Sequence, residues 1–156
     1  MQADRRFMRD HIEELLSIER ESFADPKNGN IFSSLYDDAA AHMHYFVAQS
    51  DTGVIGGYLL LSLAADEAEI INVAVPPALR RRGIGIELVT EALAFAAARG
   101  AAACYLEVRA SNLSARRLYE KMSFNVVGVR KMYYSAPSED AIVMRRTLED
   151  ACNSDR

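Results

Sequence analysis

The chain has 156 residues, of which 50% are apolar and 26% charged, with 18 basic against 22 acidic side chains. That is about one domain's worth of ordinary globular composition, and it excludes a disordered tail, a collagen-like fibre and a disulfide-stapled miniprotein. A formal net charge of −4 lacks the basic footprint expected of a nucleic-acid-binding domain. No apolar run reaches the roughly 20 residues that span a bilayer, and no signal-peptide core opens the chain. A cytoplasmic protein without direct nucleic-acid or membrane partners is the expectation.

In chain order, Arg5 to Met8 is expected as a short edge strand. Asp10 with Glu13 has the spacing of a capping box, and Ile12, Leu15, Leu16, Glu19 and Phe23 recur at helical spacing, which predicts a helix over 11–22. Asp25 to Asn30 has turn composition, and Asn30 is placed to cap a second helix through about His42. Tyr45 to Gln49 and Val54 to Leu63 are expected as a hairpin around Asp51-Thr52-Gly53. Ala68 to Val75 comes next as a third strand, ended by Pro76 and Pro77, which cannot donate to a ladder.

From Gly85 to Arg99 the residues Leu88, Val89, Ala92, Phe95 and Ala96 mark one helical face, and Gly100 stands at the expected C′ position. Ala103 to Arg109 is a strand, then a short helix runs from about Leu113 to Met122 behind a Ser111 or Asn112 cap. Strands near 124–134 and 140–148 complete the order β-α-α-β-β-β-α-β-α-β-β. One strand–helix–strand crossover sits in the middle, making its two strands parallel neighbours. A single domain over 1–149, built as an α/β (α+β) mixed sheet with helices on both faces, is predicted, with a polar tail over 150–156.

Cys104 lies in an apolar run and is expected as a small buried hydrophobe; Cys152 lies in the polar tail. Both are expected as free thiols. His11, His42 and His44 have no companions at metal-ligand spacing, so no metal is expected and the three are assigned to the surface.

The most informative segment is Arg80-Arg81-Arg82-Gly83-Ile84-Gly85, between a strand and a helix. Two glycines two apart let main chain approach a ligand, the helix N-terminus favours an anion, and guanidinium groups pair with phosphate oxygens. A diphosphate suits such a loop; a basic surface turn broken by glycine is the plain alternative. A Walker loop is excluded because Gly-Lys-Ser/Thr is absent, and a dinucleotide fingerprint because Ile86, Glu87 and Leu88 follow where a third glycine is needed.

Arg80, Gly83 and Gly85 match the Arg/Gln-x-x-Gly-x-Gly/Ala pattern, and the segment resembles the acetyl-CoA pyrophosphate loop of the GNAT (Gcn5-related) N-acetyltransferases. Ile71-Asn72-Val73-Ala74-Val75 is similar to the family strand that splays from its neighbour and offers backbone to the pantetheine arm. Leu106-Glu107-Val108-Arg109-Ala110-Ser111-Asn112 with Leu118-Tyr119-Glu120, and Tyr133-Tyr134 with Glu139 to Met144, resemble the RimI-type subgroup, whose members acetylate protein N-terminal α-amines, typically the N-terminal alanine of a small-subunit ribosomal protein. The resemblance runs from about residue 45 to 146. It departs from the family at Ile86, where a polar or basic residue is usual, at Ser123, where glycine is frequent, and in Asp25-Pro26-Lys27, which lacks the tryptophan that often follows this proline in the subgroup.

The resemblance implies acetyl-CoA as co-substrate, held by Val73, Ala74, Val75, Arg80, Arg81, Arg82, Gly83, Ile84, Gly85, Ile86 and Asn112. It implies Glu107 as general base, directly or through water, Tyr119 as general acid toward the departing sulfur, and Tyr133 and Tyr134 as walls of a peptide groove. From the residues alone, Glu107 shares a strand face with Tyr105 and Arg109 and equally suits a solvated glutamate or one neutralised by Arg109. A helical tyrosine such as Tyr119 is commonly core, Asn112 suffices as a helix cap, and strand aromatics such as Tyr133 and Tyr134 often pack inward. The expected acceptor is a protein N-terminus, with a lysine side chain or small amine as the alternative, and a non-catalytic acyl-CoA sensor as the alternative of another class.

Overall fold

Alternating apolar residues in successive segments of the chain build one seven-stranded sheet. The computed structural model describes residues 1–23, 30–135 and 137–148. Strands β1 (Gln2–Ala3), β2 (Met43–Gln49), β3 (Ile55–Ala64), β4 (Glu67–Ala74), β5 (Ala103–Arg109), β6 (Asn125–Tyr134) and β7 (Glu139–Thr147) lie in the order β1-β2-β3-β4-β5-β7-β6. Every neighbouring pair is antiparallel except β4 and β5. Those two are joined by helix α3 (Ile84–Ala98), which is the expected crossover.

Two apolar layers sandwich the sheet. On one face α3 and α4 (Leu113–Lys121) pack Leu88, Val89, Ala92 and Tyr119 against Leu59, Leu61, Ile70, Cys104 and Leu106. On the other, α1 (Arg5–Asp10), α2 (Ile12–Ser22) and a 3₁₀ helix (Asn30–Tyr36) pack Met8, Leu15, Ile18, Phe32 and Leu35 against Tyr45, Tyr58 and Leu60. Helices on both faces of a mixed, mostly antiparallel sheet are what the periodicity implied. Cys104 is a buried free thiol, and burial pushes it up to about 12, as expected of an inert hydrophobe; Cys152 lies outside the described residues.

The N-terminal expectations need correction. Arg5 to Met8 is helical, because Asp4 caps it by accepting from the Phe7 amide at 2.8 Å; the edge strand is Gln2–Ala3, paired with Tyr45 and Phe46. Asp10 ends α1 instead of capping α2, and α2 starts after His11 with no side-chain cap bond. The helix expected to run to His42 is a 3₁₀ turn that stops at Tyr36. The expected Asp25–Asn30 turn lies largely outside the described residues, as does the side chain of Asn30. Of the histidines, His42 is exposed, but His11 and His44 are half-buried on Phe7 and Phe95.

Two helix ends set how the chain enters β5 and β6. After α3, the Gly100 amide bonds Ala97 and the Ala101 amide bonds Ala96, a Schellman motif with Gly100 at φ +87°. After α4 the same motif closes on Glu120 and Tyr119, but the residue in the left-handed region is Ser123, at φ +66°.

Candidate functional site

The site begins where two parallel strands part. β4 and β5 are paired from Glu67 with Ala103 to Ile70 with Leu106, and the register carries no pair beyond. On its other edge β4 stays bound to β3 through Val73 and Ala74. The main chain of 71–74 thus faces a fork that β5 has left. A bulge marks the same point: the β3–β4 register shifts between Leu60 and Leu61.

The bulge is pinned from behind. Asn72 donates through Nδ2 to Glu19 of α2 at 3.0 Å and to the Tyr58 hydroxyl at 2.9 Å, while that hydroxyl donates to Glu19. Glu19 is only 1% exposed. A buried carboxylate is costly unless hydrogen-bonded, so this trio ties α2 to the forked strand. The signal for it was a charged residue at an otherwise apolar helical position.

At the mouth of the fork lies the Arg80–Gly85 loop. Gly83 sits at φ +82° and caps α3 with no side-chain bond; a Cβ there would meet nothing within 4 Å. The first turn of α3 therefore presents its amides and dipole outward, beside the exposed Arg81 and Arg82. Arg81 itself takes a positive φ, +62°. A diphosphate fits this arrangement: open main-chain donors, a positive helix end and two free-swinging cations. Ile86 is exposed on the first turn, so the departure there leaves the amides accessible. Arg80, also exposed, is engaged at the surface, donating to the Val75 carbonyl at 3.0 Å and the Ser22 carbonyl at 3.3 Å; it braces the loop against α2.

Glu107 is the first β5 residue past the last β4 pairing, on the face shared with Tyr105 and Arg109. The cation beside it is not Arg109 but Arg130, whose Nε lies 2.8 Å from Oε1. Arg109 is committed elsewhere: it donates to the carbonyls of Ser135 and Pro137, pairs with Glu139 at 3.3 Å and stacks on Tyr134. Glu139 in turn accepts from the Ser111 hydroxyl at 2.9 Å. These bonds tether the β6–β7 connection beside Glu107.

Tyr133 and Tyr134 meet edge to face at 5.1 Å, the first exposed and the second half-buried. A hydrogen bond to the Glu107 carboxylate pushes the Tyr133 phenol up, and burial raises Tyr134. Tyr119 lies on the opposite sheet face, 8% exposed, its ring T-shaped against Phe124. Burial holds its phenol well above the ordinary tyrosine value, and its hydroxyl makes no hydrogen bond to another described residue. Asn112 caps α4 by accepting from the Ala115 amide at 3.1 Å. The expected residues thus fall in three places: the loop at the fork's mouth, Glu107 with the paired tyrosines on one sheet face, and Tyr119 on the other. Sequence reasoning missed Arg130, Glu69, Glu19 and the Arg109 tether. Among the described residues no cluster of His, Cys, Asp and Glu could hold a metal ion, and no helix is long and apolar enough to cross a membrane.

The Acetyltransferase (GNAT) family model matches residues 9–124. The chain is 33% identical over 129 residues to the [ribosomal protein bS18]-alanine N-acetyltransferase of Escherichia coli (strain K12), covering 81% of this chain and 84% of that one. It is 40% identical over 116 residues to N-alpha-acetyltransferase RimI of Mycobacterium tuberculosis, covering 72% and 71%. The crystal structure of the Escherichia coli ribosomal-protein-S18-alanine N-acetyltransferase superimposes with a TM-score of 0.81 at 30% identity, over 93% of this chain and 92% of that one.

Proposed function

We propose that this chain, which belongs to the GNAT acetyltransferase family and is an acetyl-CoA-dependent N-acetyltransferase, acts on the N-terminal α-amine of a protein, with a ribosomal protein as the intended acceptor. The observation that carries this is the fork at Ile70 and Leu106 with Glu107 immediately past it. A thioester threaded through that opening is reached from the Glu107 face by an amine and from the Tyr119 face by a proton donor. The names borne by the relatives support the choice of acceptor.

Loop amides of residues 83–86, with Arg81 and Arg82, would hold the diphosphate, and the main chain at Val73 and Ala74 of β4 and at Val75 just beyond it would align the arm that carries the acyl group. An α-amine has a pKa of about 7.7–8.0, so much of it arrives protonated near neutrality. Glu107 takes that proton, directly or through a water. The amine attacks the thioester carbon, the carbon–sulfur bond breaks, and Tyr119 delivers a proton to the departing thiolate; the second proton that nitrogen sheds on becoming an amide makes good the one Tyr119 gave, and Glu107 releases its own to solvent. Holding the reactants in register is worth roughly 7–11 kcal/mol, more than the 10²–10⁴-fold of acid–base assistance. The fork and its tethers therefore carry most of the work.

The test is thiol release from acetyl-CoA with short peptides. Release with a free alanine N-terminus, and none when that amine is blocked, is the expected result. Release only with polyamines or internal lysine would overturn the acceptor, and tight binding without release would point to a sensor.

A further inference from the structure

From the Glu107 contacts we infer that Arg130 stands, in the free enzyme, where the acceptor's ammonium group goes, and that Glu69 receives Arg130 when the substrate displaces it. This rests on Glu107 being the acceptor-side carboxylate of the proposed function. Arg130 reaches Glu107 from two strands away. In the register Glu107 pairs with Val143, and Val143 with Gly128. Glycine at 128 adds no side chain of its own beside that of Val143 on this face.

The pairing is built to be temporary. The Glu107 side chain is 16% exposed while that of Arg130 is 59% exposed, so the cation covers the carboxylate from the solvent side, the side from which a substrate must come. Arg130 makes no hydrogen bond to main chain among the described residues, its other neighbour being the Tyr133 ring at 5.6 Å. Arg109 is the contrast: two carbonyls, a carboxylate and a ring hold it. An ion pair whose cation is exposed and held by one close polar contact is exchangeable.

A second carboxylate stands within the guanidinium's influence. Glu69 pairs with Tyr105 in the register, two residues before Glu107 on the same face of β5. Burial first, and the Glu107 charge after it, hold the Glu69 carboxyl above its ordinary value, while Arg130 favours its charged form. Tyr133 faces the pair from β6. Arg130 therefore has one paired carboxylate, Glu107, and a second, Glu69, close enough to feel its charge. An incoming ammonium satisfies Glu107, and the freed guanidinium keeps Glu69 neutralised, so the face never carries two uncompensated carboxylates. An acceptor without a cationic amine cannot make this exchange, which makes Arg130 a specificity-determining residue.

Steady-state kinetics with a free-N-terminal peptide at saturating acetyl-CoA test it. Arg130→Ala should lower the peptide KM about two- to fivefold, the scale of a lost exposed ion pair, with a smaller change in kcat; Arg130→Lys should restore the parental KM. Glu69→Gln should raise KM by a similar factor in the parent and leave it unchanged in an Arg130→Ala background, because no cation is then left to receive. A raised KM in Arg130→Ala, or an equal Glu69→Gln effect in both backgrounds, overturns the exchange. Should alanine disturb the hairpin, seen as lost acetyl-CoA affinity, Arg130→Gln must still lower KM or the idea is lost. An undiminished kcat in Glu107→Gln would instead defeat the underlying role of Glu107.

Discussion

Tyr119→Phe separates chemistry from packing more cleanly than any other change in this protein. The ring is 8% exposed and meets Phe124 at 5.7 Å, and both features survive the substitution. The hydroxyl has no described hydrogen-bond partner, so its removal orphans no acceptor, and the cost of an unpaired buried group does not arise. The expected stability change is within about 0.5 kcal/mol. A lost proton donor, by contrast, removes about 10²-fold or more from kcat, which is about 2.7 kcal/mol of barrier. Because burial raises the phenol above its ordinary value, the parent keeps its proton through and beyond the ordinary tyrosine range, so its kcat should not decline on the alkaline side below about pH 10. Thermal melts, calorimetric acetyl-CoA affinity and CoA release measured on one preparation provide the comparison. Parental kcat in the phenylalanine variant would remove Tyr119 from the reaction, and a large drop in melting temperature would show that the hydroxyl is structural.

The other expectations concern the left-handed residues Gly83 and Ser123 and the buried thiol. Gly83→Val should abolish calorimetric acetyl-CoA binding, since a β-branched residue is strained at φ +82° and its side chain enters the space beside the loop amides; unchanged affinity would contradict the diphosphate site. Ser123→Gly should stabilise the protein by about 1 kcal/mol, because an L-residue at φ +66° costs roughly 1–2 kcal/mol that glycine does not incur; denaturant melts showing no gain would refute this. Cys104, pushed by burial from the ordinary thiol value of 9.0 up to about 12, keeps its proton in the fold while the unfolded chain loses it. Stability should thus be full below about pH 9 and fall as pH rises toward 12, with a shallower fall in Cys104→Ala. In a Cys152→Ser background, the native thiol should resist alkylation at pH 8, and rapid labelling would show that it is not buried.

Elements whose pattern depends on their own residues were legible. The alternation in Ala103–Arg109 placed Glu107 opposite Cys104 and Leu106, and the apolar stripe from Leu88 to Ala96 defined α3 to within a residue. The N-terminal segment was not. Arg5-Arg6-Phe7-Met8 reads as a strand only if Asp4 is ignored, and Asp10 with Glu13 has capping spacing that the turn at His11 makes irrelevant. Caps compete locally, and the chain used the earlier one. Residues 30–42 carried a helical start but end as a 3₁₀ turn, because Phe32 and Leu35 are buried against β2 and β3 and tertiary packing outweighs propensity there.

At the site, legibility divides along the line between main chain and long-range side chain. Gly83 at the helix start and the strand before it were visible as a loop–helix signature because backbone conformation is written in neighbouring residues. Arg130 and Glu69 were invisible because their relation to Glu107 exists only once β6 lies two strands from β5 and β4 beside it, an order that places β7 between β5 and β6. The same holds for Glu19, whose partners Tyr58 and Asn72 are 39 and 53 residues away. The charges proposed to select the acceptor are thus the part of the site that local pattern encodes least. A chain can keep the loop of Arg80, Gly83 and Gly85, and with it the cofactor, while its acceptor changes through single substitutions at 69 or 130. Under the proposed exchange, preference for a cationic over an uncharged acceptor should therefore track the residues at those two positions more closely than the motif that identifies the family.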